Sequence, residues 1–451
     1  MLGFEVHPSA RISIDSIAAD ALTLVEKIDI IRRPSGDASR WVSADTITLT
    51  DEDIIGDPIM WEPQPDGTQA LIFLFHGGDS FGLTELNHRK LEKLTSELLK
   101  IKWVCKSVGR EYITKSFINW AKVRYYEGSS TEFLEHFIDG CRGDIVERTV
   151  WAPVQHLSVE EAFAFGPTRI VPMNEAFYEG IRKAFIGLAQ TSNDSFDQFI
   201  EEFRAETKGC SAVEVKVFAE PGYAKSAGMQ ISEDAIGLLR FFSAATLSST
   251  CMSPVALLDA MIVPKWYTLT SGVDGGIYYD GGLKITEVER LIIDKAKLES
   301  FKKLNFDIVG DLLNELKLNS FGKAVRSSIL SFTRSITFSE LSDRLIFALS
   351  AIEGLLLRNQ SEGIQQNVGE RVAFLISSET TERMAIVQSF RSAYKLRSEY
   401  IHHRIGNPEK VELDRTFQDI WAALNTAVAN LDKFSKREDF IDAIERRKFG
   451  G

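Results

Sequence analysis

Proline placement is the feature that most constrains how this chain can fold. Eleven of its twelve prolines fall at or before Pro264 and the last is Pro408, so residues 265–407 contain none. Proline inside a helix removes a backbone hydrogen bond and clashes with the preceding turn, so a long proline-free stretch is typical of long helices. The placement therefore predicts a helical C-terminal part after a mixed N-terminal part. A length of 451 residues suits two or three domains.

The composition excludes several classes of protein. With 44% hydrophobic and 26% charged residues the chain has a globular composition, unlike disordered or collagen-like proteins. No apolar run approaches the roughly 18–20 residues that cross a bilayer, and the N-terminal residues lack the basic and apolar segments of a signal peptide. The cysteines are widely spaced and form no CxxC pair, which predicts reduced thiols, a cytoplasmic location and no zinc site. They are Cys105, Cys141, Cys210 and Cys251.

Charge is distributed unevenly along the chain. From Arg290 onward there are 25 Lys and Arg against 22 Asp and Glu, whereas the preceding residues have 27 against 42. An acidic body of net charge −15 therefore precedes a slightly basic C-terminal third of net charge +3. Nucleic-acid-binding modules usually have a clearer basic excess, so the charge permits an RNA partner without requiring one.

Hydrophobic periodicity predicts an α+β protein. Residues 1–285 are predicted to form a mixed α/β region, which could consist of two subdomains with a boundary near residue 150. Residues 286–451 are predicted to form an all-α bundle. Strands are predicted over 45–50, 70–76, 144–152, 168–172 and 212–219. Helices are predicted over 85–101, 174–190, 194–207, 224–246, 287–317, 321–336, 340–357, 366–377, 381–404 and 410–434. In helix 340–357, apolar residues spaced by three or four form one stripe about 80° wide. They are Leu341, Leu345, Leu349, Ile352 and Leu356.

The end of helix 381–404 combines residue types that suit phosphoryl chemistry. Arg397 is followed five residues later by His402, next to a second histidine, His403. An arginine can hold a phosphate through two hydrogen bonds, and a histidine can take or give a proton near neutral pH. The alternative is a solvated basic face, because cations near a helix C-terminus favour the helix dipole. Five positions turn a helix by about 500°, so Arg397 and His402 lie about 140° apart and a second copy of the helix would be needed to join them.

The segment AYKLRSEYIHH resembles the RSxxxH signature of the Apea-like HEPN family, a branch of the HEPN superfamily of helical ribonucleases. Upstream, FALSAIEGLLLR and GERVAFLI resemble two further helices of that family, so the similarity covers roughly residues 320–435. The resemblance implies a metal-independent endoribonuclease that cuts single-stranded RNA without a cofactor. It also implies a homodimer, in which two copies of the motif meet in one cleft.

The resemblance also assigns roles to individual residues. His402 would deprotonate the attacking ribose 2′-OH or protonate the leaving oxygen, and Arg397 would stabilise charge on the phosphate. Ser398 fills the polar position after the arginine. His403 stands where the family most often has glycine, and it would either add an acid/base group or crowd the cleft. Non-catalytic HEPN domains that bind RNA or a protein partner are the main alternative.

Glu353 lies among apolar helical neighbours, which predicts partial burial. A buried carboxylate without a partner is costly, so Glu353 is expected to pair with Arg371 or Arg397 and to orient the site. The alternative is an exposed glutamate at the edge of the apolar stripe.

A competing motif lies near the N-terminus. Residues 78–82 read GDSFG, which matches GxSxG around Ser80 and follows the apolar run 70–75. This is the context of a hydrolase nucleophile elbow, but few strands precede it, and glycines also serve ordinary turns. A serine hydrolase is therefore a minor alternative.

By analogy with Apea-like proteins, some of which defend bacteria against phage, residues 1–285 are expected to sense an unknown trigger or to position the nuclease.

Overall fold

The computed structural model describes residues 3–29, 59–76, 79–186, 193–258, 260, 265–271, 277–283, 287–359, 362–403 and 410–450. The chain divides into two compact units, one of residues 1–148 with 217–227 and one of residues 149–216 with 228–451. A mixed N-terminal region and a helical C-terminal part confirm the α+β class. The predicted strand 45–50 lies outside the described residues, and the predicted domain boundary at residue 285 stays a prediction.

The first unit combines a small antiparallel sheet with helices. The sheet has the order β1-β4-β3-β2. Its strands are β1 (Glu26–Ile28), β2 (Met60–Pro63), β3 (Gln69–His76) and β4 (Asp79–Thr84). Its helices are α1 (Pro8–Leu22), α2 (Glu85–Leu98), α3 (Val104–Ser107), α4 (Arg110–Glu127) and α5 (Phe133–Asp144). One apolar core joins the helices to the sheet, and its largest side chains include Phe73, Phe117, Trp120, Phe133 and Phe137.

Most residues of the remaining sheets belong to the second unit. A five-stranded sheet has the order β11-β5-β9-β8-β7, β10 pairs with β14 and β6 with β15 in parallel, and β12 and β13 form an antiparallel pair. The strands are β5 (Val146–Gln155), β6 (Leu157–Val159), β7 (Phe163–Phe165), β8 (Thr168–Pro172), β9 (Ser211–Ala219), β10 (Cys251–Met252), β11 (Ala256–Leu257), β12 (Lys265–Ser271), β13 (Ile277–Leu283), β14 (Glu287–Val288) and β15 (Leu291–Ile293). Among the described residues, three α-helices accompany them: α6 (Glu175–Ile186), α7 (Asn193–Glu206) and α8 (Pro221–Leu239). Residues 146–148 of β5, 217–219 of β9 and 221–227 of α8 belong to the first unit.

From Lys295 to Lys448 every described element is helical. The helices are α9 (Lys295–Lys302), α10 (Phe306–Asp311), α11 (Ser320–Ser335), α12 (Leu341–Leu356), α13 (Ile364–Ile376), α14 (Thr380–His403), α15 (Lys410–Val428) and α16 (Arg437–Lys448). The apolar stripe predicted on helix 340–357 is confirmed, because its last four members are buried in the core of the bundle. They are Leu345, Leu349, Ile352 and Leu356.

The predicted helix 287–317 is wrong in its first part. Strand β15 occupies Leu291–Ile293 and pairs in parallel with β6, so its burial alternates with a period of two and leaves Ile292 exposed. Asp294 then caps α9, because its carboxylate accepts a hydrogen bond from the backbone N–H of Lys297 at 2.7 Å. Asn305 has a left-handed backbone (φ +65°) and separates α9 from α10. The short apolar run was compatible with strand or helix, and its pairing partner decided between them.

A buried carboxyl in α15 predicts a pH effect on stability. Burial raises the pKa of Asp419 to about 6, although Arg415, whose Nε lies 3.1 Å from Oδ1, acts in the opposite direction. This pKa exceeds the value of about 3.9 expected in the unfolded chain. The contribution of Asp419 to the free energy of unfolding should therefore decrease as the pH rises from about 4 to about 6. Denaturation of the parent protein and of Asp419→Asn at pH 4.5 and 7 measures this contribution. The free energy of unfolding of the variant, relative to that of the parent, should be higher at pH 7 than at pH 4.5. An equal difference at both pH values would contradict the expectation.

Candidate active site on α12 and α14

The candidate site is built around an ion pair between α12 and α14. Nη1 of Arg397 donates a hydrogen bond to Oε1 of Glu353 at 2.6 Å, and the two side chains are 25% and 16% exposed. The predicted pairing of Glu353 with Arg397 is thus confirmed. The other predicted partner, Arg371, instead binds Glu362 and Glu445.

The helical repeat explains why Arg397 faces α12. Ile386, Phe390 and Ala393 are buried along one side of α14, and Arg397 follows Ala393 by four residues on that same side. Its guanidinium makes one hydrogen bond to a described residue, so further N–H groups remain for a ligand. The hydrogen bond to Glu353 holds one end of the guanidinium against α12. This is the arrangement expected of a group that must meet a phosphate in a fixed geometry.

Tyr394 is a member of this cluster that the sequence reasoning missed. Its hydroxyl is buried and makes no hydrogen bond of good geometry within the described part of the chain. Burial raises the pKa of Tyr394, and the nearby carboxylate of Glu353 raises it further. The phenol therefore stays protonated beside the ion pair. Its position three residues before Arg397 was the available signal, because residues three apart share a helix face.

The remaining predicted site residues lie on the last turns of α14. Ser398 is exposed. His402 and His403 end the helix, and their side chains fall outside the part that the structure describes. The geometry of α14 places position 402 about 140° around the helix from Arg397, so one helix does not bring the two positions together.

The basic residues of α14 have different environments. Arg383 stacks on the ring of Phe374 at 4.1 Å and donates through Nε to the carbonyl oxygen of Ser377. Lys395 forms a long ion pair with Glu399 at 3.8 Å, and Arg391 is exposed. These side chains therefore do not form one cluster with Arg397.

Ser80 lies in a setting that differs from a nucleophile elbow. It is buried within strand β4, where it is paired with Phe75 of β3 and Ile28 of β1. A nucleophile elbow places its serine at a sharp turn between a strand and a helix. The residues around Ser80 instead continue an antiparallel ladder as far as Thr84.

The described residues were also compared with the requirements of a metal site and of a membrane-spanning helix. Among the described residues, no three His, Cys, Asp or Glu side chains come together in a way that could hold a metal ion. No helix in the same parts of the chain combines the length and the apolarity that crossing a membrane requires.

Comparison with known proteins adds no assignment. No protein-family model, no curated protein and no solved structure matches the chain. Any function must therefore be argued from its own residues and from the resemblance of the α14 motif.

Proposed function

We propose that this chain is a metal-independent endoribonuclease of the HEPN type that cuts single-stranded RNA. The observation that supports this most is the Arg397–Glu353 pair, which holds the motif arginine in place on α14, while His402 follows it in the sequence at the spacing of the RSxxxH signature. An arginine that is already oriented loses less entropy when it binds a phosphate.

The reaction is an internal transesterification. His402, or its copy in a partner subunit, takes the proton of the ribose 2′-OH, and the 2′-oxygen attacks the adjacent phosphorus. The bond from phosphorus to the 5′-oxygen breaks, and a protonated histidine supplies the proton to that oxygen. Arg397 stabilises the negative charge that develops on the phosphoryl oxygens. The products are a 2′,3′-cyclic phosphate end and a free 5′-hydroxyl.

A homodimer is part of the proposal because Arg397 and position 402 diverge around α14. A two-fold axis beside α14 would bring the arginine of one subunit near the histidine of its partner. Sedimentation should therefore give a dimer under the conditions in which RNA is cut. Full cleavage by a species that sediments as a monomer would contradict this arrangement.

Other parts of the proposal rest on analogy. Residues 1–285 would sense a trigger for the nuclease, in keeping with a role in bacterial defence against phage. The proposed compartment is the cytoplasm, where the four cysteines, all of them free in the structure, would stay reduced.

A non-catalytic RNA-binding module is the second candidate. The pairing with Glu353 offsets the charge of Arg397, which weakens its attraction for a transition-state phosphate. An arginine held this way can still orient a bound RNA. The two candidates differ in whether a bond is broken.

Incubation of the purified protein with single-stranded RNA and a chelator separates these candidates. Cleavage should persist with EDTA, because the proposed chemistry uses only side chains and the 2′-OH. The new ends should carry a 2′,3′-cyclic phosphate, and DNA of the same sequence should stay intact because it lacks the nucleophile. Loss of cleavage with EDTA, or equal cleavage of DNA, would reject the mechanism. Tight RNA binding without cleavage would favour the binding module.

A further inference from the structure

A second surface on the helical bundle has features of a ligand-binding groove. It lies between α13, α14 and the end of α16 and encloses about 920 Å³. Its lining includes three cationic side chains, Arg383, Arg391 and Lys448, and one carboxylate, Glu370. Lys448 donates to Glu370, so this pair is neutral and the groove keeps an excess of two positive charges. A groove of this charge favours an anionic occupant.

The groove also offers exposed apolar surface. Phe449 is 81% exposed and Met384 is 69% exposed, although both are large hydrophobic residues. Phe374 forms part of the lining, and Arg383 covers its ring. Aromatic rings next to cations are the combination on which nucleic-acid bases stack while their phosphates meet the cations.

A row of exposed residues on one side of α14 leads from the groove to the turn that carries Ser398, whereas Arg397 lies on the opposite side of the helix. Met384 and Arg391 of the groove belong to this row, whose members are spaced by four and three. The row spans fifteen residues, or about 21 Å of helix, and lies opposite the buried side of α14. The residues of this exposed row are Met384, Gln388, Arg391, Lys395 and Ser398.

We infer that this groove and the exposed row form a binding track for single-stranded RNA, which holds the strand beyond the bond that is cut. The inference rests on the proposed ribonuclease function, because it takes the α14 motif as one end of the track. A single strand fits these features, since its bases are free to stack on Phe449 while its phosphates pass Arg391 and Lys395. Continuity with the motif favours RNA over an acidic protein segment as the occupant.

Binding of a fluorescently labelled 20-nucleotide RNA tests the track. Full-length His402→Ala protein serves as the parent, so that binding is measured without cleavage. Phe449→Ala should weaken binding at least about five-fold through lost stacking. Arg391→Ala should weaken it about threefold or more and lower the slope of log affinity against log salt by about 0.7. Lys323→Ala, which removes an exposed charge from α11, is the matched control and should change affinity less than about twofold.

The remaining outcomes separate this inference from the proposed function. Cleavage that depends on His402, combined with unchanged RNA affinity in Phe449→Ala and Arg391→Ala, would overturn the track alone. Weaker binding in these variants without any cleavage by the unmodified protein would support the track and reject the nuclease. Absence of RNA binding by the parent would overturn both. Loss of self-association in Arg391→Ala with unchanged RNA affinity would identify the groove as a protein interface and overturn the track.

Discussion

Replacement of Arg397 by alanine should lower the rate of RNA cleavage by about 100-fold to 1,000-fold, the usual cost of removing one donor that stabilises a developing oxyanion. The guanidinium is held by Glu353 at 2.6 Å and has further N–H groups for the phosphate. Substitution of His402 should cost about 100-fold to 10,000-fold through lost proton transfer, and more than substitution of His403. Rates measured on one RNA at saturating enzyme give the comparison.

Arg397→Ala alone has a second effect, because it leaves the carboxylate of Glu353 partly buried without its partner. The double variant Arg397→Ala/Glu353→Gln removes this charge and keeps the shape of the side chain. It should recover the thermal stability that the single variant loses, yet remain as inactive. Recovery of cleavage in the double variant would show that Arg397 serves the fold and not the chemistry.

The largest stability effect is expected at Arg371, which is 4% exposed in the bundle. Its guanidinium binds Glu362 at 2.8 and 3.1 Å, Glu445 at 2.7 Å and the carbonyl oxygen of Leu356 at 2.6 Å. Arg371→Ala removes the nearest cation from two partly buried carboxylates, Glu362 and Glu445, and removal of one partner from a buried pair costs about 3–5 kcal/mol. The thermal midpoint should fall by roughly 10 °C. Amide exchange should accelerate first in α13 and α16, which carry Arg371 and Glu445.

The effect of Arg371→Ala should depend on pH in a defined direction. The hydrogen bond from Arg371 holds the pKa of Glu362 below its ordinary value, so this stabilisation is present above about pH 4 and is lost as the pH falls further. Lys302→Ala is a control, because it breaks the exposed pair with Glu299 and should leave the midpoint unchanged. An equal effect of the two substitutions at pH 7 would show that burial does not strengthen the Arg371 network.

Local sequence determined much of the helical bundle. The spacing of Leu345, Leu349, Ile352 and Leu356 identified α12 and its buried face, because a helix of 3.6 residues per turn leaves little freedom in which residues share a side. The same helical repeat places Arg397 and position 402 on different sides of α14. The apolar neighbours of Glu353 predicted an arginine partner for its carboxylate, Arg371 or Arg397, and left the choice between them open.

Tertiary structure decided which of these possibilities the protein uses. Glu353 binds Arg397 because α12 packs beside α14, while Arg371 is taken by Glu362 and Glu445. The strand at Leu291–Ile293 forms because β6, more than a hundred residues earlier, offers its backbone hydrogen bonds. The hydrophobic periodicity of a segment predicts which of its residues are buried and which are exposed. The segment that packs against the buried face depends on contacts between residues far apart in the sequence, and the pattern of a single segment does not determine these contacts.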